Sequence, residues 1–338
     1  MRRMDPRSGR HIHFVLDPRS TAWDDLATLD EATIAAQPER FQGGRNSWIA
    51  QTFLRLRDPL AARGWKVTTG PTFLPGTVSI VHRDDANRFA TAAATSFLVV
   101  VRADRAPVHA CDLAICQNGL SLMRHERFIP LWPQPGLQAR DPARGTRLEK
   151  LAYLGRTGSM PKWFADAAFH AALARMGVRF EVREEGWHRC EDVDAVLASR
   201  VEASAVLDTK PATKIYNGWL AGIPVLAAPE PAYREARRRA LDFLEVRDPA
   251  DVVRAVRLLH DHPDVYAAMV ANGLVRAREY GVDATRARWL SLFDDEIGPL
   301  ISRTARGSRP GWYLQAMLRQ RGASRMHKWA VARWRASV

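Results

Sequence analysis

Two lysines set four positions apart, Lys210 and Lys214, flank a proline and a threonine where a helix is expected to begin. The amphipathic run over 215–221 ends at Gly222, and an apolar strand follows over 223–227. A helix N-terminus presents free backbone N–H groups and a partial positive charge, so it attracts anions, and two ammonium groups strengthen that preference. The segment therefore predicts a diphosphate site. The alternative is an ordinary helix–strand unit whose lysines are merely solvated.

Length and composition are those of a globular protein with two domains. The chain has 338 residues, of which 46% are hydrophobic and 26% are charged. Its three cysteines are too few for a disulfide framework and have no zinc-binding spacing, so we expect buried free thiols. The sequence has neither a long apolar run nor a signal peptide, which predicts a cytoplasmic protein without a transmembrane helix.

The positive charge is concentrated at the C-terminus. From Arg303 onward there are nine Lys or Arg and no Asp or Glu, within a total net charge of +13. Trp312, Trp329 and Trp334 are interspersed with them. Basic residues mixed with Trp favour a segment lying on an anionic membrane surface. A basic tail packed in part on the main body, or one that binds nucleic acid, are the alternatives.

Apolar runs alternate with helical patterns along the chain, as in parallel α/β domains. Proline-rich residues 128–147 separate two such series and indicate a stiff connector. The runs that predict strands are 11–17, 65–69, 77–82, 96–102, 112–116, 151–154, 178–183 and 223–227, with one solvent-exposed face at 178–183 and further short apolar runs at 195–199 and 203–207.

Three segments resemble GT-B glycosyltransferases. Ala-Gly-Ile-Pro-Val at 221–225 is similar to the segment that closes the nucleotide-sugar site in that family, Gly43-Gly44 is similar to its opening loop, and Leu154-Gly-Arg156 is similar to the first strand of its donor domain. The resemblance implies two Rossmann-like domains facing across a cleft, plus a basic C-terminal helical tail. The implied domains are an acceptor domain (1–135), a donor domain (136–283), a helix returning to the first domain (284–302) and the tail (303–338).

The implied activity is metal-independent transfer of a sugar from a nucleotide-diphosphate donor to a polysaccharide or lipid-linked acceptor, without a cofactor. One position pair departs from the family. Retaining members carry a Glu-x₇-Glu pair where this chain has Thr209 and Asn217. The stereochemistry therefore stays open, and a nucleotide-sugar epimerase or a non-catalytic paralogue is the alternative.

The residues that the resemblance and the local chemistry assign to the site fall into two groups. The substrate-binding candidates are Gly43, Gly44, Arg45, Arg156, Lys210, Thr213, Lys214 and Asn217. Asp104 is the first candidate for a catalytic base, with Asp17 second. Asp192 and Asp194 have the spacing of metal ligands but are interpreted as surface or turn carboxylates. Nucleic acid is not an expected partner.

Overall fold

A computed structural model describes residues 10–17, 19, 21–86, 94–120, 122–303 and 310–337, except for the side chains at 302, 303, 310 and 312. The basic N-terminus (1–9) and residues 304–309 of the predicted tail lie outside the described residues. The chain forms two compact units. Unit 1 comprises Met1–Trp132 together with Val282–Val338, and unit 2 comprises Pro133–Gly281.

Unit 1 is built on a six-stranded parallel sheet in the order β2-β1-β3-β4-β5-β6. The central strands β3 and β5 are buried along their whole length, because helices cover both faces of a parallel sheet. The strands are β1 His11–Val15, β2 Lys66–Gly70, β3 Val78–His82, β4 Phe97–Ala103, β5 Leu113–Cys116 and β6 Glu126–Phe128.

The helices of unit 1 come from both ends of the chain. They are α1 Ala32–Ala36, α2 Arg45–Ala61, α3 Arg83–Ala86, α10 Val282–Ser291, α11 Gly298–Arg303 and α12 Pro310–Arg335. A π-helical stretch, Leu292–Ile297, joins α10 to α11. Its Phe293 packs with Trp289 of α10 in the same hydrophobic core as Phe14 of β1 and Phe53 of α2. This packing makes the C-terminal helices part of unit 1.

Unit 2 has a five-stranded parallel sheet in the order β8-β7-β9-β10-β11. The first strand along the chain lies inside this sheet, so the strand order reverses between β7 and β9. In doubly wound sheets this reversal leaves a crevice at the carboxyl ends of the two strands, where ligands bind. The strands are β7 Lys150–Leu154, β8 Arg179–Arg183, β9 Ala195–Ala198, β10 Val225–Ala227 and β11 Leu244–Glu245.

Along the chain of unit 2, β8 leads directly to β9, whereas helices follow β7, β9, β10 and β11. They are α4 Ala167–Ala174, α5 Ser204–Leu207, α6 Thr213–Leu220, α7 Pro231–Ala236, α8 Pro249–Asp261 and α9 Pro263–Ala277. The apolar run at 203–207, whose composition also fits a strand, forms the short helix α5. Helix α6 begins at Thr213, and Gly222 follows its end with a φ of +69°, a conformation that glycine adopts without strain. The predicted end of the helix at Gly222 is therefore confirmed, whereas the following strand begins at Val225, two residues later than predicted.

The described residues contain no helix that is both long and apolar enough to cross a membrane. The three cysteines are free thiols and are buried, as expected.

Candidate functional site

The crevice of unit 2 lies where β7, β9 and β10 end. β7 is followed by Gly155 and Arg156, β9 is followed by Arg200, and β10 is followed by Glu230. Lys214 reaches the same edge from the first turn of α6. Lys214, Arg200 and Glu230 thus come from separate stretches of sequence and lie together at the carboxyl edge of one sheet, with Arg156 exposed after β7.

Lys214 is held at the end of β7 by two contacts. Its Nζ donates a 2.7 Å hydrogen bond to the carbonyl oxygen of Leu154 and lies 3.8 Å from the centre of the Tyr153 ring. Gly155 leaves room for the ammonium group, because a Cβ at that position would stand only 2.7 Å from Nζ. Burial, reinforced by the positive charge of Arg200, lowers the pKa of Lys214 to about 7. An arriving anion would favour the charged form.

Arg200, Glu230 and Tyr233 form the second half of the cluster. The Nη2 of Arg200 donates a 2.6 Å hydrogen bond to the Tyr233 hydroxyl, and its Nε lies 3.1 Å from a carboxylate oxygen of Glu230. Glu230 is buried, and neither of its oxygens accepts a hydrogen bond of good geometry from the described residues. Burial raises the pKa of Glu230 to about 7, against the lowering effect of Arg200 and Lys214. A buried carboxylate with unused acceptor capacity suits a hydroxyl-bearing ligand.

The other predicted donor residues lie around this cluster in different ways. Thr213 opens α6, and its hydroxyl is buried without a hydrogen-bond partner among the described residues. Lys210 acts electrostatically on Glu230 from the loop before α6. Arg156 follows β7 and is exposed to solvent. Asn217 is different, because its side-chain oxygen already accepts a 3.1 Å hydrogen bond from the backbone N–H of Gln134.

In unit 1, the predicted glycine pair opens α2. Gly43 and Gly44 have φ values of +71° and +85°, and a Cβ on either would meet no atom within 4 Å. Both glycines are therefore explained by backbone conformation at a helix entry that is open to solvent. Arg45 follows them and makes ion pairs with Asp17, at the end of β1, and with Asp85, at 3.4 Å.

Asp104 lies immediately after β4, where the strand register shifts. The preceding Ala103 has a φ of +52°, which an L-residue with a side chain adopts at a cost. The carboxylate of Asp104 makes a 2.7 Å ion pair with Arg105, and Arg105 also bonds to Asp84. Asp104 and Asp17 thus belong to unit 1, whereas the cluster of Lys214, Arg200 and Glu230 belongs to unit 2.

The interpretation of Asp194 as a surface or turn carboxylate is wrong. Asp194 is fully buried just before β9, and it accepts hydrogen bonds from Arg140 and Arg144 and from the backbone N–H groups of Glu149 and Lys150. These bonds hold the proline-rich connector (128–147) against the amino end of the unit 2 sheet. Across the ranges that the structure describes, no group of three or more His, Cys, Asp or Glu side chains is arranged to hold a metal ion.

Sequence reasoning missed Arg200 and Glu230. Each follows an apolar strand within three residues, at the end where parallel sheets carry their ligand sites. This placement after a strand end was the signal in the sequence that could have identified Arg200 and Glu230 as site residues.

Neither the protein-family models nor the curated proteins include a match to this sequence. Among solved structures, the chain is similar to sucrose-phosphate synthase from Thermosynechococcus elongatus, with 10% identity, a TM-score of 0.55 and coverage of 86% of this chain and 100% of that chain. It is also similar to Anabaena HepE in complex with UDP and glucose, with 10% identity, a TM-score of 0.49 and coverage of 85% and 100%. For TarM, the identity is 9%, the TM-score is 0.47 and the coverage is 65% and 55%, so the chain spans about half the length of TarM. The similarity to sucrose-phosphate synthase shows that the chain has the GT-B fold.

Proposed function

We propose, from the GT-B fold and the charged cluster at the switch point of unit 2, that this protein is a glycosyltransferase that uses a nucleotide-diphosphate sugar. The observation that carries the proposal is the convergence of Lys214, Arg200 and Glu230 on one strand edge. Lys214 and the first turn of α6 would bind the diphosphate. Glu230 would accept hydrogen bonds from hydroxyl groups of the ribose or the sugar. Thr209 and Asn217 have no carboxylate and cannot fill this role in the way that the glutamates of retaining family members do.

The chemistry follows from the charge that develops during transfer. Breaking the bond to the sugar leaves negative charge on the departing diphosphate, and fixed donors aimed at that charge supply a large share of catalysis. Lys214 is positioned to act as such a donor, with Arg156 and Lys210 near the same edge. This scheme requires neither a metal nor a cofactor. Asp104 is the proposed base that activates the acceptor hydroxyl.

The proposed acceptor is a polysaccharide or a lipid-linked saccharide. A lipid-linked acceptor would place the enzyme in the cytoplasm at the inner face of the cell membrane. The basic C-terminal segment favours the same location.

The donor half of the proposal is tested by thermal shift with a panel of uridine, guanosine, adenosine, cytidine and thymidine diphosphate sugars. We expect one nucleotide to raise the melting temperature of the protein, and Lys214→Met to abolish that shift. Lys150→Met is the matched control, because Lys150 begins β7, at the opposite end from the Leu154 that Lys214 contacts, and pairs with Glu181 and Asp192. No response to any nucleotide would refute the proposal.

The transfer half is tested by release of the nucleoside diphosphate in the presence of saccharide and lipid-linked acceptors. We expect release to depend on an acceptor and to be lost in Asp104→Asn. Nucleotide binding without transfer to any acceptor would instead identify a non-catalytic paralogue. Interconversion of the donor sugar would identify an epimerase.

A further inference from the structure

The last helix, α12, is attached to unit 1 by one side. Tyr313 is fully buried and its hydroxyl donates a hydrogen bond to the carbonyl oxygen of Ala86 at 3.3 Å. Gln320 is also buried, and it accepts from the backbone N–H of His109 at 2.7 Å and donates to the carbonyl oxygen of Pro107 at 2.8 Å. These positions are seven residues apart, which is two helical turns, so they define a single attached face.

The opposite side of α12 carries large apolar side chains in solvent. Leu314, Leu318, Met326 and Trp329 are 54%, 57%, 66% and 57% exposed. At 100° per residue, Leu318, Trp329 and Met326 fall within about 80° of one another and about 120° or more from Tyr313 and Gln320, and Leu314 lies about 40° from Leu318 at the flank of this group. We call Leu314, Leu318, Met326 and Trp329 the outer apolar row. Soluble proteins rarely group exposed apolar side chains in this way without a partner.

Cations lie beside and between the side chains of the outer apolar row. Six exposed Lys or Arg side chains occur along α12, at Arg319, Arg321, Arg325, Lys328, Arg333 and Arg335. The helix contains no Asp or Glu, and the guanidinium of Arg333 lies 5.4 Å from the centre of the Trp329 ring. The partner must therefore be both anionic and able to take up apolar side chains.

We infer that the outer face of α12 docks the protein on an anionic lipid surface, with the outer apolar row inserted among the acyl chains and the arginines at the phosphate level. An interfacial helix has this combination of an apolar row, aromatic residues and flanking cations. Nucleic acid would attract the arginines but would give no apolar environment to Leu314 or Leu318. The attached face fixes which side of unit 1 meets the membrane.

The inference is tested by flotation of the full-length protein with vesicles of phosphatidylcholine alone and of phosphatidylcholine mixed with phosphatidylglycerol. We expect capture only by the mixed vesicles. The double variant Leu318→Gln/Trp329→Gln should lower the partition coefficient at least about tenfold. Val275→Gln is the matched control, since Val275 is 57% exposed on α9 of unit 2 and should leave capture unchanged.

The contribution of charge is tested separately with Arg321→Gln and Arg325→Gln. Each charge removed should lower the partition coefficient about fivefold at low salt. Capture that survives in the Leu318→Gln/Trp329→Gln variant would overturn the inference. So would absence of capture by the mixed vesicles, or tight binding to a DNA or RNA duplex that does not respond to Leu318→Gln. Lys214→Met should bind vesicles normally, so failure here is distinguishable from failure of the donor site.

Discussion

Two buried carboxylates lie at opposite ends of the strands of the unit 2 sheet, Asp194 just before β9 and Glu230 beyond β10, and their surroundings differ. Asp194, before the strand, accepts hydrogen bonds from two arginines and two backbone N–H groups, and these bonds hold its pKa below the ordinary value despite burial. Glu230 lies at the other edge, beyond the end of β10, with one arginine beside it and a pKa raised by burial to about 7. The same residue chemistry therefore serves two purposes. At the amino edge of the sheet it stabilises the fold, and at the carboxyl edge it leaves binding capacity for a ligand.

The contrast between Asp194 and Glu230 is tested most strongly by the free energy of unfolding of variants at the two positions. Asp194→Asn removes the charge that compensates two arginines, so we expect it to lower the free energy of unfolding by about 3–5 kcal/mol. Glu230→Gln replaces a carboxyl group that is largely protonated at about pH 5 by a neutral isostere, so at that pH we expect a change within about 1 kcal/mol. Unfolding in urea, followed by tryptophan fluorescence, measures both. Equal losses in the two variants would show that Glu230 is as structural as Asp194.

The pH dependence of stability should have opposite signs at the two sites. Glu230 has a folded pKa near 7 against an ordinary 4.5, so the folded protein binds the extra proton and loses stability as pH rises from 4.5 to 7. Asp194 has a lowered folded pKa, so its stabilisation is present above the ordinary 3.8 and is lost as pH falls through the folded value.

Glu230→Gln should remove a slope of at most about 1.4 kcal/mol per pH unit between pH 4.5 and 7. Urea unfolding of the wild-type and variant proteins across that range provides the measurement. The prediction fails if the two profiles are parallel.

Affinity for the donor should depend on the charge of Lys214. Because its pKa is about 7, the ammonium form is depleted as pH rises through neutrality. We expect the affinity for a nucleotide sugar to fall about tenfold from about pH 6 to 8, the change in the charged fraction of such a group. Titration calorimetry at several pH values measures it. In Lys214→Met the affinity should be weak and this pH dependence absent; a dependence that persists would assign it to another group.

A smaller effect is expected from the glycine beside Lys214. Gly155→Ala would place a Cβ 2.7 Å from the lysine Nζ and displace the ammonium, so we expect donor affinity to fall a few-fold. Gly158→Ala in the same loop is the control, because its Cβ would meet no atom within 4 Å. The same titration applies to both variants. Unchanged affinity in Gly155→Ala would show that Lys214 Nζ does not bind the diphosphate.

Local patterns predicted much of the fold. Continuous apolar runs identified the buried strands, and the lysine–proline–threonine sequence with Gly222 placed α6 correctly. Residues 203–207 were ambiguous because a short apolar run fits a strand and a helix equally well. Asp194 was misread because its arginine partners lie about fifty residues earlier in the chain, at Arg140 and Arg144.

The candidate site was predictable only in part. Lys210 and Lys214 lie in one short segment of the chain, so their proximity to a helix start could be predicted from the sequence. Arg200 and Glu230 meet Lys214 only because β7, β9 and β10 are neighbours in the sheet. Strand order is a tertiary property, and composition and spacing do not determine it.

The central claim is that Lys214 meets the donor at the carboxyl edge of unit 2, and chemical labelling tests it most directly. Acetic anhydride should acetylate Lys214 with a midpoint near pH 7, because its pKa is lowered to about 7. A saturating nucleotide sugar, chosen from the thermal-shift panel, should protect Lys214, as read by mass spectrometry, and leave Lys150 at its unliganded level. Equal labelling of Lys214 with and without the nucleotide sugar would contradict the account.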